Sequence, residues 1–293
     1  RRNPLAGALM SELRRSRGGA FRGVLAGVDF TEPDRPREAA RYHGELIAGI
    51  SDRAGELGFK LERFDVGPGG ITVPRLGSIL HTRGIGGVVL LPAWGEPDLS
   101  ALDWPHLAGV YTDYIIERPR LHTVCSDQYR SLLAALHRLR EMGYRRPGLL
   151  LQRHQDERLQ HRWSAAFRTF QENFPGEAKI PPLIVDRYDR AAFARWFRDQ
   201  KPDVVLGHHC EAVAWMEACG AKVPATHGFV CLNIHMKSRP CAGLDLQPRV
   251  LGVRAAELLI AQLQRNELGI PEWPSTTTIA ARWADGPTVR TRE

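Results

Sequence analysis

Three residues of metal-ligating type stand in succession at His208, His209 and Cys210. Adjacent residues rarely converge on one ion, and no carboxylate is spaced to join them, so the run predicts hydrogen bonding and no metal. The five cysteines, Cys125, Cys210, Cys219, Cys231 and Cys241, are odd in number and scattered, without a CxxC pair. They read as buried reduced thiols, not as a disulfide framework or a zinc site. Catalytic signatures are missing too: there is no GxSxG elbow, P-loop, HExxH or GxGxxG after the first predicted strand. Gly67-Pro68-Gly69-Gly70 lacks phosphate-loop spacing and reads as a turn. Asp113 and Asp127 could be paired as acid and base, but nothing else in the sequence calls for hydrolysis. The chain is therefore read as a non-enzyme without a cofactor.

Aromatic and polar residues at predicted strand ends carry more, because open α/β sheets bind ligands beyond the carboxyl ends of their strands. Asp29, Phe30 and Thr31 end the first strand, Trp94 follows an apolar run over 88–92, and Tyr111 and Asp113 close another strand. A tryptophan in such a loop can stack on the apolar face of a sugar, or cap its lobe; Phe30 can floor a site or fill a core.

Alternating elements must hold these residues. A buried strand is predicted over 23–30. A helix over 39–57 sets Tyr42, Leu46, Ile47, Ile50, Ala54 and Leu57 on one face, with Gly58 as the stop. A strand at 59–64, a short helix at 74–83 and strands at 87–91, 107–112 and 121–125 follow. Leu132, Leu133, Leu136 and Leu139 stripe a helix over 128–142, with Asp127 as a candidate N-cap and Gly143 as the stop. A second series alternates strands at 148–151, 183–186, 204–206 and 229–232 with helices at 160–173, 190–200 and 210–219. Two such runs predict an α/β protein of two doubly wound parallel-sheet lobes. A helix over 248–264, a proline-rich stretch over 269–274 and a β-rich segment over 276–283 have no core of their own. They read as returns of the chain to lobes already built.

Composition limits the partners. Of 293 residues 43% are hydrophobic and 25% charged, the balance of a globular chain. The longest apolar runs are too short to cross a bilayer, so no membrane partner is expected. The apolar stretch over 3–10 is broken by Pro4 and Gly7 and followed by Glu12, Arg14, Arg15 and Arg17, unlike a secretory signal. A cytoplasmic location follows. The net charge of +7 is dispersed over arginine-rich helix faces and supports weak polyanion attraction, not specific DNA reading.

Five segments, in order and over nearly the whole chain, resemble the effector-binding core of the LacI/GalR family of transcription regulators. Asn3-Pro4-Leu5-Ala6-Gly7-Ala8-Leu9 is similar to the family's post-hinge segment, and the strand over 24–30 to its first core strand. Glu141-Met142-Gly143-Tyr144-Arg145-Arg146-Pro147-Gly148-Leu149 resembles its "LGHRRI" crossover. Lys201-Pro202-Asp203-Val204-Val205-Leu206 resembles the strand that opens with "PDAV". Leu251-Gly252-Val253-Arg254-Ala255-Ala256-Glu257-Leu258-Leu259 resembles its "MGRRAAELL" helix.

The resemblance implies two periplasmic-binding-protein-like (type I) lobes joined by three crossovers, near 143–147, 243–247 and 269–275. Residues 1–19 would be the post-hinge segment, 20–143 with 248–268 the N-terminal lobe, 147–243 with 275–285 the C-terminal lobe, and 286–293 a tail. The implied function is effector binding and dimerisation for a DNA-binding regulator. The partners would be a sugar or polyol effector and a second copy, side by side through the helices over 39–57 and 74–83. Operator DNA would be met only through a headpiece missing ahead of Asn3. The alternative with the same fold is a periplasmic solute-binding protein of a transporter, which needs a signal sequence.

Site residues follow from the same resemblance. Asp127, in Val124-Cys125-Ser126-Asp127-Gln128, matches the "VxxDN" aspartate, whose carboxylate can accept two hydroxyl bonds or cap its helix. Phe30 stands where an aromatic floors the site; Tyr111 and Asp113 stand where polar contacts occur. Arg158 and Arg162 precede the apolar helix face where the family has the clamping arginine of "RLxGF", with Arg162 one residue farther from Phe167 than that pattern has it. His209 takes the place of the ligand-binding asparagine of an "ND" pair, and Cys210 that of the aspartate. Asn233 stands at the "GFDD" aspartate. Asp245, with Gln247, lies at the second crossover as a ligand or hinge residue.

Overall fold

The computed structural model describes residues 22–174 and 179–290. The first sheet is built from β1 (Gly23–Phe30), β2 (Phe59–Val66), β3 (Gly87–Leu90), β4 (Ala108–Tyr111) and β5 (His122–Asp127), with α1 (Ala39–Glu56) and α2 (Val73–Thr82) between them. After α3 (Gln128–Glu141) the second sheet begins with β6 (Pro147–Gln152), β7 (Leu183–Val185), β8 (Val204–Gly207), β9 (Gly228–Cys231) and β10 (Ala242–Asp245). Its helices are α4 (Arg153–Glu157), α5 (Arg162–Asn173), α6 (Arg190–Gln200) and α7 (Ala212–Ala218); α8 (Pro248–Arg265), β11 (Thr276–Ala280) and β12 (Arg282–Ala284) complete the order.

The sheets run β11-β5-β4-β3-β1-β2 and β12-β10-β9-β8-β6-β7. The first is parallel throughout, and in the second only β12 runs antiparallel. This is the expected two-lobed α/β architecture. In each sheet the strand order reverses about the first strand, at β3-β1-β2 and β8-β6-β7, which opens a crevice at the carboxyl ends. Strands buried on both faces explain the continuous apolar runs in the sequence, such as Gly87–Leu90 and Val204–Gly207.

One close approach fixes the cover of the first sheet. α1 and α8 cross so tightly that a Cβ on Gly252 would stand 2.2 Å from the Leu46 carbonyl oxygen, and one on Gly49 2.0 Å from that of Arg249. Leu46, Ile50, Leu251, Ala255 and Leu259 then close over Leu25, Val89 and Val110 in one core.

Two of the three crossings between lobes fall outside the segments expected. The helix placed in the first lobe, α3, packs its leucines on the second: Leu132, Leu136 and Leu139 share a core with Trp163, Phe167 and Phe170. The chain therefore leaves the first sheet as β5 becomes α3, not at 143–147. An amphipathic stripe says that a helix is covered, not by which sheet. Residues Ala242–Asp245 form a strand beside β9, so the second crossing narrows to the residues after Asp245. The segment over 276–283 divides, since β11 pairs with β5 and β12 with β10. The third crossing thus falls at Ala281, between them, instead of 269–275. Residues 1–19 and the last three of the tail lie outside the described residues.

Candidate functional site

The carboxyl ends of the two sheets face each other across a cavity of about 50 Å³. On the first lobe the lining residues Arg35 and His43 are anchored from behind by Asp29, near the end of β1 and 1% exposed. Arg35 and Arg63 donate to its carboxylate at 2.6 and 2.9 Å, and His43 Nδ1 lies 3.0 Å away. Burial pushes the Asp29 pKa up, but His43 and Arg35 outweigh it and the net shift is downward. This network ties the loop after β1 to α1 and sets Tyr42 and His43 at the cavity. Glu32 accepts from the backbone N–H groups of Trp94 and Gly95, fixing the loop after β3.

From the second lobe, Arg158 reaches across. Its Nη1 donates to Asp113 Oδ2 at 2.5 Å and to the Ala93 carbonyl at 3.3 Å, and its guanidinium lies 5.0 Å over the Trp94 ring. His154 Nε2 stands 2.7 Å from the Trp94 carbonyl oxygen. These contacts hold the two lobes closed.

Several buried polar atoms at this cavity have no hydrogen-bond partner: Gln128 Oε1, Trp163 Nε1, Arg158 Nε and both ring nitrogens of His208. Burial, helped by the charge of Arg158, pushes the His208 pKa down to about 3, so the ring is neutral with one donor and one acceptor. A buried polar group left unpaired costs about 1–3 kcal/mol. A cluster of them marks a place where polar atoms of another molecule belong.

Among the residues expected at the site, the structure gathers Trp94, Asp113, Arg158 and Asn233 at the cavity. Phe30 and Tyr111 instead lie in the core of the first lobe. Thr31 donates to the Pro68 carbonyl at 2.9 Å and secures a turn. Asp127 caps α3, accepting from the Arg130 N–H at 2.9 Å, with Thr278 Oγ1 3.4 Å from its other oxygen. It does not line the cavity, while its neighbours Ser126 and Gln128 do. Arg162 packs its guanidinium 4.1 Å from the centre of the Tyr114 ring. Asp245 accepts from the Gln247 N–H and lies 2.8 Å from His235 Nε2, as a brace for the crossing.

The pair after β8 is reversed. His209 stacks on Tyr188 at 4.4 Å and leans on Trp215, outside the cavity lining, and His208 takes the cavity. Trp163 and Tyr42 were also missed as site residues, because the apolar face of a helix accounts for each, and Gln128 because it reads only as the start of the helix that Asp127 caps. Alternation along β8 was the available signal for His208, had the strand been continued to Gly207.

No family model matches the chain, and no curated protein matches it. Solved structures do. The chain is similar to a LacI transcriptional regulator from a Rhodococcus species at 14% identity and TM-score 0.66, over 91% of this chain and 98% of that one. It is similar to the complex of the transcriptional regulator CelR with cellobiose at 18% identity and TM-score 0.66, over 96% and 88%. A LacI family transcriptional regulator from Enterococcus faecium with bound ribose aligns at 13% identity and TM-score 0.62, over 92% and 100%. At these identities the likeness is one of fold. Among the described residues no helix is long and apolar enough to cross a membrane.

Proposed function

We propose that the chain is the effector-binding core of a LacI-type transcription regulator, and that a sugar or related polyol binds between its lobes. The observation that carries this reading is the set of unpaired buried atoms at the cavity, drawn from Gln128, Trp163 and His208. They offer both acceptors and donors, the complement of hydroxyl groups that each donate and accept. The rings of Trp94, Trp163 and Tyr42 line the same space and suit the apolar face of a sugar ring. Fold neighbours that carry ribose and cellobiose lend the same class support.

A space of about 50 Å³ holds only a few waters, so a sugar enters by opening the lobes and parting Arg158 from Asp113. Both side chains then turn to the effector. A ligand shifts such an opening equilibrium only as far as it binds one state better, and contacts from both lobes are complete only when the lobes close on it. The same reading assigns a side-by-side homodimer with α1 and α2 as contact surfaces, and gives DNA recognition to a headpiece instead of this core. Sedimentation at micromolar concentration then yields a dimer. A thermal-shift screen of pentoses, hexoses and polyols against nucleobases tests the effector class. Stabilisation by a polyol that shrinks in His208→Ala supports it, and stabilisation by a nucleobase alone contradicts it.

A further inference from the structure

Three thiols gather beneath the second lobe's wall of the cleft. Cys210 follows His208 by two residues ahead of α7, Cys231 ends β9, and Cys241 immediately precedes β10. β9 lies between β8 and β10, so strand pairing brings together residues far apart in sequence. The three Sγ atoms all lie within 4.8 Å of one another, and those of Cys210 and Cys241 are 3.7 Å apart. All three cysteines are buried, and none is in a disulfide. Phe193, Val213, Met216 and Phe229 surround them with apolar surface. Among the described residues no histidine or carboxylate joins the group.

Packing alone does not account for this arrangement. A small apolar side chain would fill each position, yet three of the chain's five cysteines turn polarizable sulfur toward one point. We propose that Cys210, Cys231 and Cys241 form a three-thiolate site for a soft, thiophilic cation, monovalent copper. Thiolates select copper(I), zinc or iron–sulfur clusters from the common metals. Zinc in protein sites is almost always tetrahedral with four ligands, and no fourth side chain is at hand here. A cation in the plane of three sulfurs at about 2.3 Å, the usual zinc–thiolate length, needs sulfur–sulfur edges of about 4.0 Å. The observed spacing reaches that with shifts under an ångström.

Binding requires no oxidant or reductant. Each S–H bond that gives way to a copper–sulfur bond releases one proton to water, and the copper stays monovalent. Cys231 Sγ now donates to the Asn233 carbonyl at 3.1 Å, a bond that is lost when the thiol proton leaves. Asn233 and His208 both line the cavity, so filling the thiol site would alter the cleft wall.

The test is anaerobic titration of the reduced 293-residue chain with copper(I) acetonitrile complex, in competition with a bathocuproine chelator. The expected result is one equivalent taken from the chelator, with sulfur-to-copper charge-transfer absorption in the near ultraviolet. Cys210→Ser and Cys241→Ser should each weaken binding by at least about tenfold, the scale on which even an outer partner's loss is felt. Cys231→Ala should abolish the absorption, and Cys219→Ser should leave it unchanged. No transfer from the chelator overturns the proposal, as does equal retention by the triple serine variant. Should the Cys231→Ala variant fail to fold, X-ray absorption on the copper-loaded wild type decides. Three sulfur neighbours at about 2.3 Å uphold the site, and a two-sulfur or nitrogen shell refutes it.

Discussion

The two walls of the cleft are made differently. On the first lobe most of the charged and polar groups at the strand ends are held within the lobe, Asp29 by Arg35, His43 and Arg63, Glu32 by two backbone amides, and Thr112 by the Leu90 carbonyl, while Asp113 pairs across the cleft and the Tyr111 hydroxyl has no partner. On the second lobe the buried polar atoms of Trp163 and His208 are left without partners. The first wall is thus a finished surface whose polar groups hold its own loops. The second is an unfinished one whose polar groups wait for another molecule. Mutations should therefore cost stability on one side and affinity on the other.

The largest effect is expected at Asp29. Replacing it by Ala strands His43 and two arginines that now share its carboxylate, and a buried ion pair broken on one side costs about 3–5 kcal/mol. Chemical denaturation measures this, and a loss below about 1 kcal/mol would show that the first wall does not depend on its network. The same carboxylate sets an acid limit. Its pKa is lowered in the folded protein, so the stability it contributes is complete above its ordinary value of 3.8 and is lost as pH falls through the lower folded value. Denaturation curves across that window should flatten in Asp29→Asn.

Next comes Arg158→Ala, expected to weaken effector binding by about 1.5–3 kcal/mol, the scale of a hydrogen bond to a charged group. Calorimetric titration reads it. A variant that binds more tightly would mean that the Arg158–Asp113 pair only obstructs the cleft. A smaller effect is expected at Asp127, where Ala should cost about 0.5–2 kcal/mol of stability, as for a lost helix cap, and spare affinity. Melting curves beside titrations separate the two, and a loss of affinity would return Asp127 to the site.

The same contrast shows what the sequence made legible. The lobes were readable because strand and helix periods alternate through both runs, and Trp94, Asp113, Arg158 and Asn233 because they follow strands or open helices at the cleft end. The crossings were not, since the stripe of α3 fits either sheet and the threonine-rich β11 carries no mark of which edge it joins. His208 and His209 differ by one residue at a strand end, and one residue of strand length decides which faces the cleft. Asp127 was misleading for a physical reason, because a helix cap and a ligand carboxylate call for the same residue at the same place. The thiol cluster depends on β10, a strand that the sequence did not reveal, pairing beside β9.

The most direct test of the unfinished second wall is a paired measurement on His208→Ala: calorimetric titration with the best polyol from the screen, and thermal melting without it. Both ring nitrogens lack partners in the folded protein, so the substitution removes no internal hydrogen bond. The account predicts that affinity falls by about 0.5–1.5 kcal/mol, the net worth of one hydrogen bond, while the melting temperature is not lowered beyond what a small cavity costs. Unchanged affinity together with a large loss of stability would place His208 among the finished contacts and contradict the account.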